Sequence, residues 1–199
     1  DVHTFEAMKL RLLNAGHQII ATPGELLSVD TIAGTMAHPL IAALFRKVET
    51  AEIVPHVNAV PDMTPLAYVE LITARFANAQ IHDTTRRVAF DGASRHAGFL
   101  HPILRDALAQ DAPMDGLALV EALWARMCEG TKIMPNDPFW DTLNTAAKAA
   151  KETPQAWLDQ RQFYGDLGDN PRFASRFAHW LRLIWQDGTE AALRSYITA

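Results

Sequence analysis

Four prolines in this chain each follow a residue that caps helices: Thr64-Pro65, Asp137-Pro138, Thr153-Pro154 and Asn170-Pro171. A side-chain oxygen just before a helix accepts an amide hydrogen that the first turn leaves without a partner. Proline at the first helical position has its φ already set and gives up no hydrogen bond. Four helix starts are therefore predicted. Beyond Asn170-Pro171, Phe173, Phe177, Trp180, Leu181 and Ile184 recur every three or four residues until Gly188. That spacing predicts an amphipathic helix with an aromatic core face and a glycine stop. Comparable periodicity runs from Thr4 to Ala21, Pro39 to Val48, Pro65 to Ala77, Gly98 to Ala109 and Asp115 to Glu129. Alternation with period two is scarce, so the predicted class is all-α. Pro55 to Thr64, Asp111 to Met114 and Gly130 to Asn136 read as connections, and Asp91-Gly92 as a turn. With no low-complexity linker and no repeat at a solenoid period, residues 1–199 read as one multi-helical globular domain.

A chain of 199 residues, 49% of them hydrophobic, can bury roughly 70% of its unfolded surface. The net charge of −5 and the absence of a basic stripe interleaved with aromatics exclude nucleic acid as a partner. No apolar run approaches the ~20 residues of a membrane span, and no secretory signal pattern is present, so a cytoplasmic location is expected. Cys128, the single cysteine, cannot form an intrachain disulfide; beside Leu123, Trp124 and Met127 it reads as a small buried hydrophobe rather than a reactive thiol. Eight histidines include no H-E-x-x-H pair, and His96 and His101, five apart, fit one α-helical face poorly, so no metal site is expected. Ser94 lacks the second glycine of a nucleophile elbow, and no glycine-rich segment ends in the Gly-Lys-Ser/Thr of a phosphate cradle.

Lys9, Asn14 and His17 form the pattern K-x-x-x-x-N-x-x-H within an otherwise largely apolar segment. At ~100° per residue an α-helix sets Asn14 roughly 140° and His17 roughly 80° from Lys9, so the three project within one arc. Leu10, Leu12, Leu13, Ile19 and Ile20 cover most of the remaining circumference. Such a helix is buried on several sides, and a lysine held against it is expected to be desolvated, which favours the neutral amine and makes Lys9 a candidate general base. Asn14 offers an amide donor to an oxygen carrying developing charge, and His17 can orient a hydroxyl through either ring nitrogen. Together they suit alcohol–carbonyl interconversion. The same three residues also read as a snorkelling lysine, a local hydrogen bond and a satisfied core histidine.

The run Met8-Lys9-Leu10-Arg11-Leu12-Leu13-Asn14-Ala15-Gly16-His17 resembles the polyol-specific long-chain dehydrogenases, among them the mannitol 2-dehydrogenases. The resemblance continues through Met36-Ala37-His38-Pro39, Arg75-Phe76-Ala77-Asn78 and the segment from Thr84 to Arg95, and spans at least Val2 to Leu108. It implies the helical fold of the mannitol dehydrogenase C-terminal domain, of the 6-phosphogluconate dehydrogenase C-terminal-like kind. It also implies site roles: Lys9 as catalytic base, Asn14 as a stabiliser of the developing alkoxide, His17 as a substrate contact. Arg87 matches the family's substrate-contacting arginine. Arg95 stands where the family carries a substrate-contacting lysine, exchanging a compact ammonium for a planar fork. Without the resemblance, Arg86, Arg87 and Arg95 read as a solvated or salt-bridged helix edge.

The implied activity is NAD- or NADP-dependent, metal-independent interconversion of a sugar alcohol and a ketose, with a neutral polyol favoured. Fructuronate or tagaturonate reduction on the same scaffold is the alternative, and a non-catalytic helical interaction module is the reading from another class. In the family an N-terminal Rossmann domain holds the dinucleotide. Here no G-x-G-x-x-G opens a helix after a strand, and the motif starts within nine residues of a first residue, Asp1, that is not methionine. The expectation is a fragment without its cofactor domain, inactive alone. Its expected partners are that domain and a small polyol or ketose, and its expected state is monomeric.

Overall fold

Twelve of the fifteen residues of the Asp115–Glu129 helix are buried, including every one from Gly116 to Ala125, so this helix is core on all sides. In the computed structural model, which describes residues 2–130 and 137–199, it packs against the Pro171–Asp187, Trp140–Ala150 and Ala15–Leu26 helices. Phe173, Phe177, Trp180, Leu181 and Ile184 form the inward face of the Pro171–Asp187 helix, as their spacing predicts. Trp124 and Trp157 meet edge to face at 4.9 Å in the centre. Each such side chain contributes about 1.5–3 kcal/mol by leaving water. Among the described residues there is no strand, only the isolated bridges Thr31–Thr84 and Val60–Met63, and the architecture is a single all-α domain. No described helix is long and apolar enough to cross a membrane. Cys128 is buried, which pushes its thiol well above the ordinary range. Apart from Gly130, the connection expected from Gly130 to Asn136 lies outside the described residues.

Two of the four proline-marked starts form as predicted. Thr64 Oγ1 accepts from the Ala67 amide at 3.1 Å, and Asn170 Oδ1 accepts from Arg172 and Phe173 at 3.0 and 3.2 Å. The other two differ because the capping residue is already engaged. The Asp137 carboxylate accepts from the Asp91 amide at 2.8 Å as well as from Phe139 at 3.2 Å, and the helix starts only at Trp140. The Thr153 amide still donates to Ala149 of the preceding helix at 3.1 Å, so Pro154 becomes the flanking residue of the short Gln155–Leu158 turn. Gly188, at φ +95°, ends the long aromatic helix as expected, and Asp91, at φ +56°, makes the predicted turn.

The larger departure from the sequence reading is a set of wide turns. The N-terminal helix is α over Val2–Met8, π over Lys9–Asn14 and α again over Ala15–Leu26. A second π turn spans Glu49–Ile53, and a third, His96–Leu100, joins Gly92–Arg95 to His101–Ala109, so Gly98 lies inside a helix rather than at its start. A π turn closes i→i+5 hydrogen bonds and brings residues about five apart toward one face. His96 and His101, which their spacing set on different faces, both reach Glu121.

The second wide turn supplies a long-range helix cap. Nothing local caps the Asp115–Glu129 helix; instead Glu52 accepts from the Gly116 and Leu117 amides at 2.7 and 2.8 Å, and from the Tyr196 hydroxyl at 2.8 Å. Burial pushes the Glu52 carboxyl above the ordinary range, an effect these three donors partly offset.

Candidate functional site

The first wide turn begins at Lys9 and ends at Asn14, the two motif residues five apart. In an α-helix they would diverge by ~140°; i→i+5 bonding draws them toward a common side. Wide turns inside α-helices occur often at functional sites. His17 follows on the α-helical continuation, and Leu12, Ala15, Gly16, Ile19 and Ile20 face inward.

Lys9 is exposed, which corrects the expectation that its helix desolvates it. Leu12 is buried and Leu10 and Leu13 half-buried, but Phe5, Glu6 and Ala7, on the turn before Lys9, are open to solvent. Periodicity shows that a helix has an apolar face; it does not show how far neighbouring elements reach round it. Lys9 instead lines a cleft of about 560 Å³ with Val2, Phe5, Glu6, Met8, Met63 and Tyr68. The cleft's apolar wall is uncovered, with Val2 79% and Phe5 50% exposed.

His17 is half-buried and stacks on Phe76, ring centroids 4.3 Å apart. It lines a smaller cleft of about 120 Å³ with Ile32, Arg75, Ile81, Asp83 and Arg87. Burial pushes the His17 imidazole down to about 4; Asp83 opposes this, and the guanidinium groups of Arg87, Arg75 and Arg95 reinforce it. The neutral ring keeps one donor and one acceptor nitrogen for hydroxyl groups. Because the folded value lies below the ordinary 6.5, the unfolded chain binds more protons between pH 6.5 and 4. The stabilising contribution of neutral His17 is thus complete above about pH 6.5 and is lost as the pH falls through about 4. The His17 NMR titration should show a midpoint near 4, and His17→Phe should flatten the acid limb of the stability curve. A midpoint near 6.5 would contradict this burial.

Arg87 Nε and Nη2 both donate to the Asp83 carboxylate at 2.6 Å, and these bonds hold Asp83 below the usual carboxylate range. The Thr84 hydroxyl accepts from the Arg87 amide at 3.1 Å and fixes the start of this short helix. Arg86 pairs with Glu25 at 3.0 Å, the salt-bridged helix edge that its sequence context allowed. Arg95 is half-buried, with Nε donating to the Phe90 carbonyl at 2.7 Å.

The structure brings His17 and Arg87 to one cleft, with the charge of Arg95 felt at the imidazole; Lys9 opens onto the larger cleft, and half-buried Asn14 lines neither. Sequence reasoning assigned no role to Arg75, Phe76, Asp83 or Glu6. The Asp83-x-x-x-Arg87 spacing across a capping threonine carried a signal for the ion pair; that Phe76 would stack on His17 depends on two distant helices meeting. Among the described residues no three His, Cys, Asp or Glu side chains are grouped so as to hold a metal ion.

The family described as the mannitol dehydrogenase C-terminal domain matches residues 1–185. The chain belongs to this family. It is 48% identical, over its whole length, to a mannitol 2-dehydrogenase of Cereibacter sphaeroides, of which it covers 43%. It is 29% identical to a mannitol 2-dehydrogenase of Pyricularia oryzae, with 99% of this chain and 40% of the relative aligned. Among solved structures, the fold matches a Pseudomonas fluorescens mannitol 2-dehydrogenase in ternary complex with NAD and D-mannitol. That match has a TM-score of 0.93 at 24% identity and covers all of this chain and 42% of that one. A substrate-free D-sorbitol dehydrogenase gives a TM-score of 0.88 at 24% identity, over 97% of this chain and 41% of that one. The chain thus spans about two fifths of the length of these relatives.

Proposed function

We propose that the intact protein oxidises a sugar alcohol to a ketose, and catalyses the reverse reaction, with Lys9 as general base and no metal. One observation carries this reading: the wide turn runs from Lys9 to Asn14, with Lys9 on a cleft of about 560 Å³ and, one turn beyond Asn14, His17 on a second cleft with Arg87. That volume lies within the roughly 300–1,000 Å³ of small-molecule sites. Lys9, as the free amine, takes the hydroxyl proton, and Asn14 donates to the oxygen as charge develops on it. His17, Arg87 and Arg95 hold the remaining hydroxyls, restricting a flexible chain to reactive poses. NAD, or NADP, would accept the hydride. Among the described residues there is no sheet to cradle a dinucleotide, so its contacts are assigned to a Rossmann domain outside this chain. Lys9 is exposed on this chain, so the reading requires cofactor, substrate or that domain to exclude water from the cleft.

A neutral polyol is favoured because the fork of Arg87 is already turned onto Asp83. The second reading, reduction of fructuronate or tagaturonate, is favoured by Arg75, a second guanidinium on the same cleft. Assay of the intact protein against mannitol, arabinitol and fructuronate separates the two. The kcat/KM for a neutral polyol should exceed that for the uronate by at least about tenfold. A preference for the uronate would overturn the choice, and turnover of none of them would overturn the activity.

A further inference from the structure

Behind Arg95 lies a buried polar cluster that the proposed chemistry does not use. Glu121, on the Asp115–Glu129 helix, is sealed from solvent together with His96, His101, Tyr164 and Trp157. His96 Nδ1 lies 2.9 Å from Glu121 Oε2, which also accepts from the Tyr164 hydroxyl at 2.9 Å; that hydroxyl in turn accepts from Trp157 Nε1 at 2.7 Å. His101 Nε2 stands 3.0 Å from Glu121 Oε1, off the line of a hydrogen bond. His101 Nδ1 faces the Phe163 carbonyl at 3.1 Å, and a carbonyl only accepts, so Nδ1 carries a proton. Burial alone would push the Glu121 carboxyl up; the His96 and His101 rings that face it outweigh this and hold it below the usual carboxylate range, while burial holds the His96 imidazole down. A carboxylate sealed from water in this way grips its partners tightly.

The cluster acts on a particular turn. His96 directly follows Arg95, and the wide turn His96–Leu100 is what lets the two imidazoles converge on one carboxylate. The His96 ring also stacks on Trp124, centroids 4.0 Å apart. Gly92, three residues before Arg95, lies so close to the same indole that a Cβ there would come within 2.7 Å of Trp124 Nε1. The backbone carrying Arg95 is thus clamped to the central helix immediately beyond that residue and shortly before it. A shell of this kind decides whether a binding side chain is held in a productive pose.

We propose that Glu121 is a positioning residue for substrate binding: by gripping His96 it fixes the turn that carries Arg95, and so sets the affinity for the sugar substrate. This rests on the reading of Arg95 as a substrate contact, and the experiment separates the two. In the intact protein, steady-state kinetics with the preferred polyol are measured for Arg95→Ala, Glu121→Gln and the double variant, with thermal melts alongside. Arg95→Ala should raise KM about tenfold. Glu121→Gln, of nearly equal volume, should raise it by a similar factor with kcat within about threefold, and in the Arg95→Ala background should change KM by less than about twofold. Tyr164→Phe, which removes a bond to Glu121 but leaves His96 held, should lower the melting temperature without changing KM. If Glu121→Gln does not fold, His96→Gln takes its place in the cycle with the same expected values. An unchanged KM in Arg95→Ala overturns the reading of that arginine and this inference with it. A rise in Arg95→Ala together with equal Glu121→Gln effects in both backgrounds overturns the inference alone, as does a Glu121→Gln effect confined to the melting temperature.

Discussion

Replacing Lys9 by alanine in the intact protein should lower polyol turnover by about 10²–10⁴-fold, the range a positioned general base contributes, and leave NAD affinity nearly unchanged. The exposure of Lys9 makes this substitution informative. The side chain packs into no core, so truncating it should cost less than about 0.5 kcal/mol of stability, and a loss of activity cannot be traced to unfolding. Lys9→Arg should fare little better, because a guanidinium stays protonated at any working pH and cannot accept the hydroxyl proton. Turnover and a thermal melt measured on the same preparation give the result. A fall of less than tenfold would count against Lys9 as the base and move attention to Glu6, which lines the same cleft.

The largest expected effect on stability comes from Glu52→Ala. It strips the Asp115–Glu129 helix of its only carboxylate cap among the described residues, leaving the Gly116 and Leu117 amides and the Tyr196 hydroxyl without their acceptor where water cannot reach. Each buried donor left unmet costs about 1–3 kcal/mol, and the lost macrodipole interaction and the new cavity add to this. The expected total is about 3–5 kcal/mol, or about 10 °C in the unfolding transition of a domain this size. Tyr196→Phe, which removes one donor and leaves the cap in place, should cost about 1 kcal/mol. Equal losses from the two variants would show that the cap contributes little.

Glu52 also illustrates what the sequence could and could not reveal. The aromatic stripe from Phe173 to Ile184 and the caps at Thr64 and Asn170 are local patterns, and a local pattern is visible in a linear string. The cap on the central helix comes from a residue more than sixty positions upstream, and nothing near Met114 hints at it. Asp137 shows the converse: it reads as a cap, but its carboxylate is recruited by the Asp91 amide across the fold.

The candidate site divides in the same way. The residue types of Lys9, Asn14 and His17 are explicit in the sequence, whereas the wide turn that brings the first two toward one side is not. Hydrophobic periodicity cannot distinguish an α turn from a π turn over six residues. The same ambiguity set His96 and His101 on separate faces when both converge on Glu121. The openness of the cleft at Lys9 depends on how far Met63 and Tyr68 extend from other elements, a matter of tertiary packing alone.

The proton transfer assigned to Lys9 is tested most directly by a crystal structure of the intact protein with NAD and a bound polyol. Lys9 Nζ should lie within about 3 Å of the hydroxyl on the carbon that loses hydride, with Asn14 donating to the same oxygen. A polyol seated with that oxygen held by another side chain, and Lys9 Nζ still facing solvent, would contradict it.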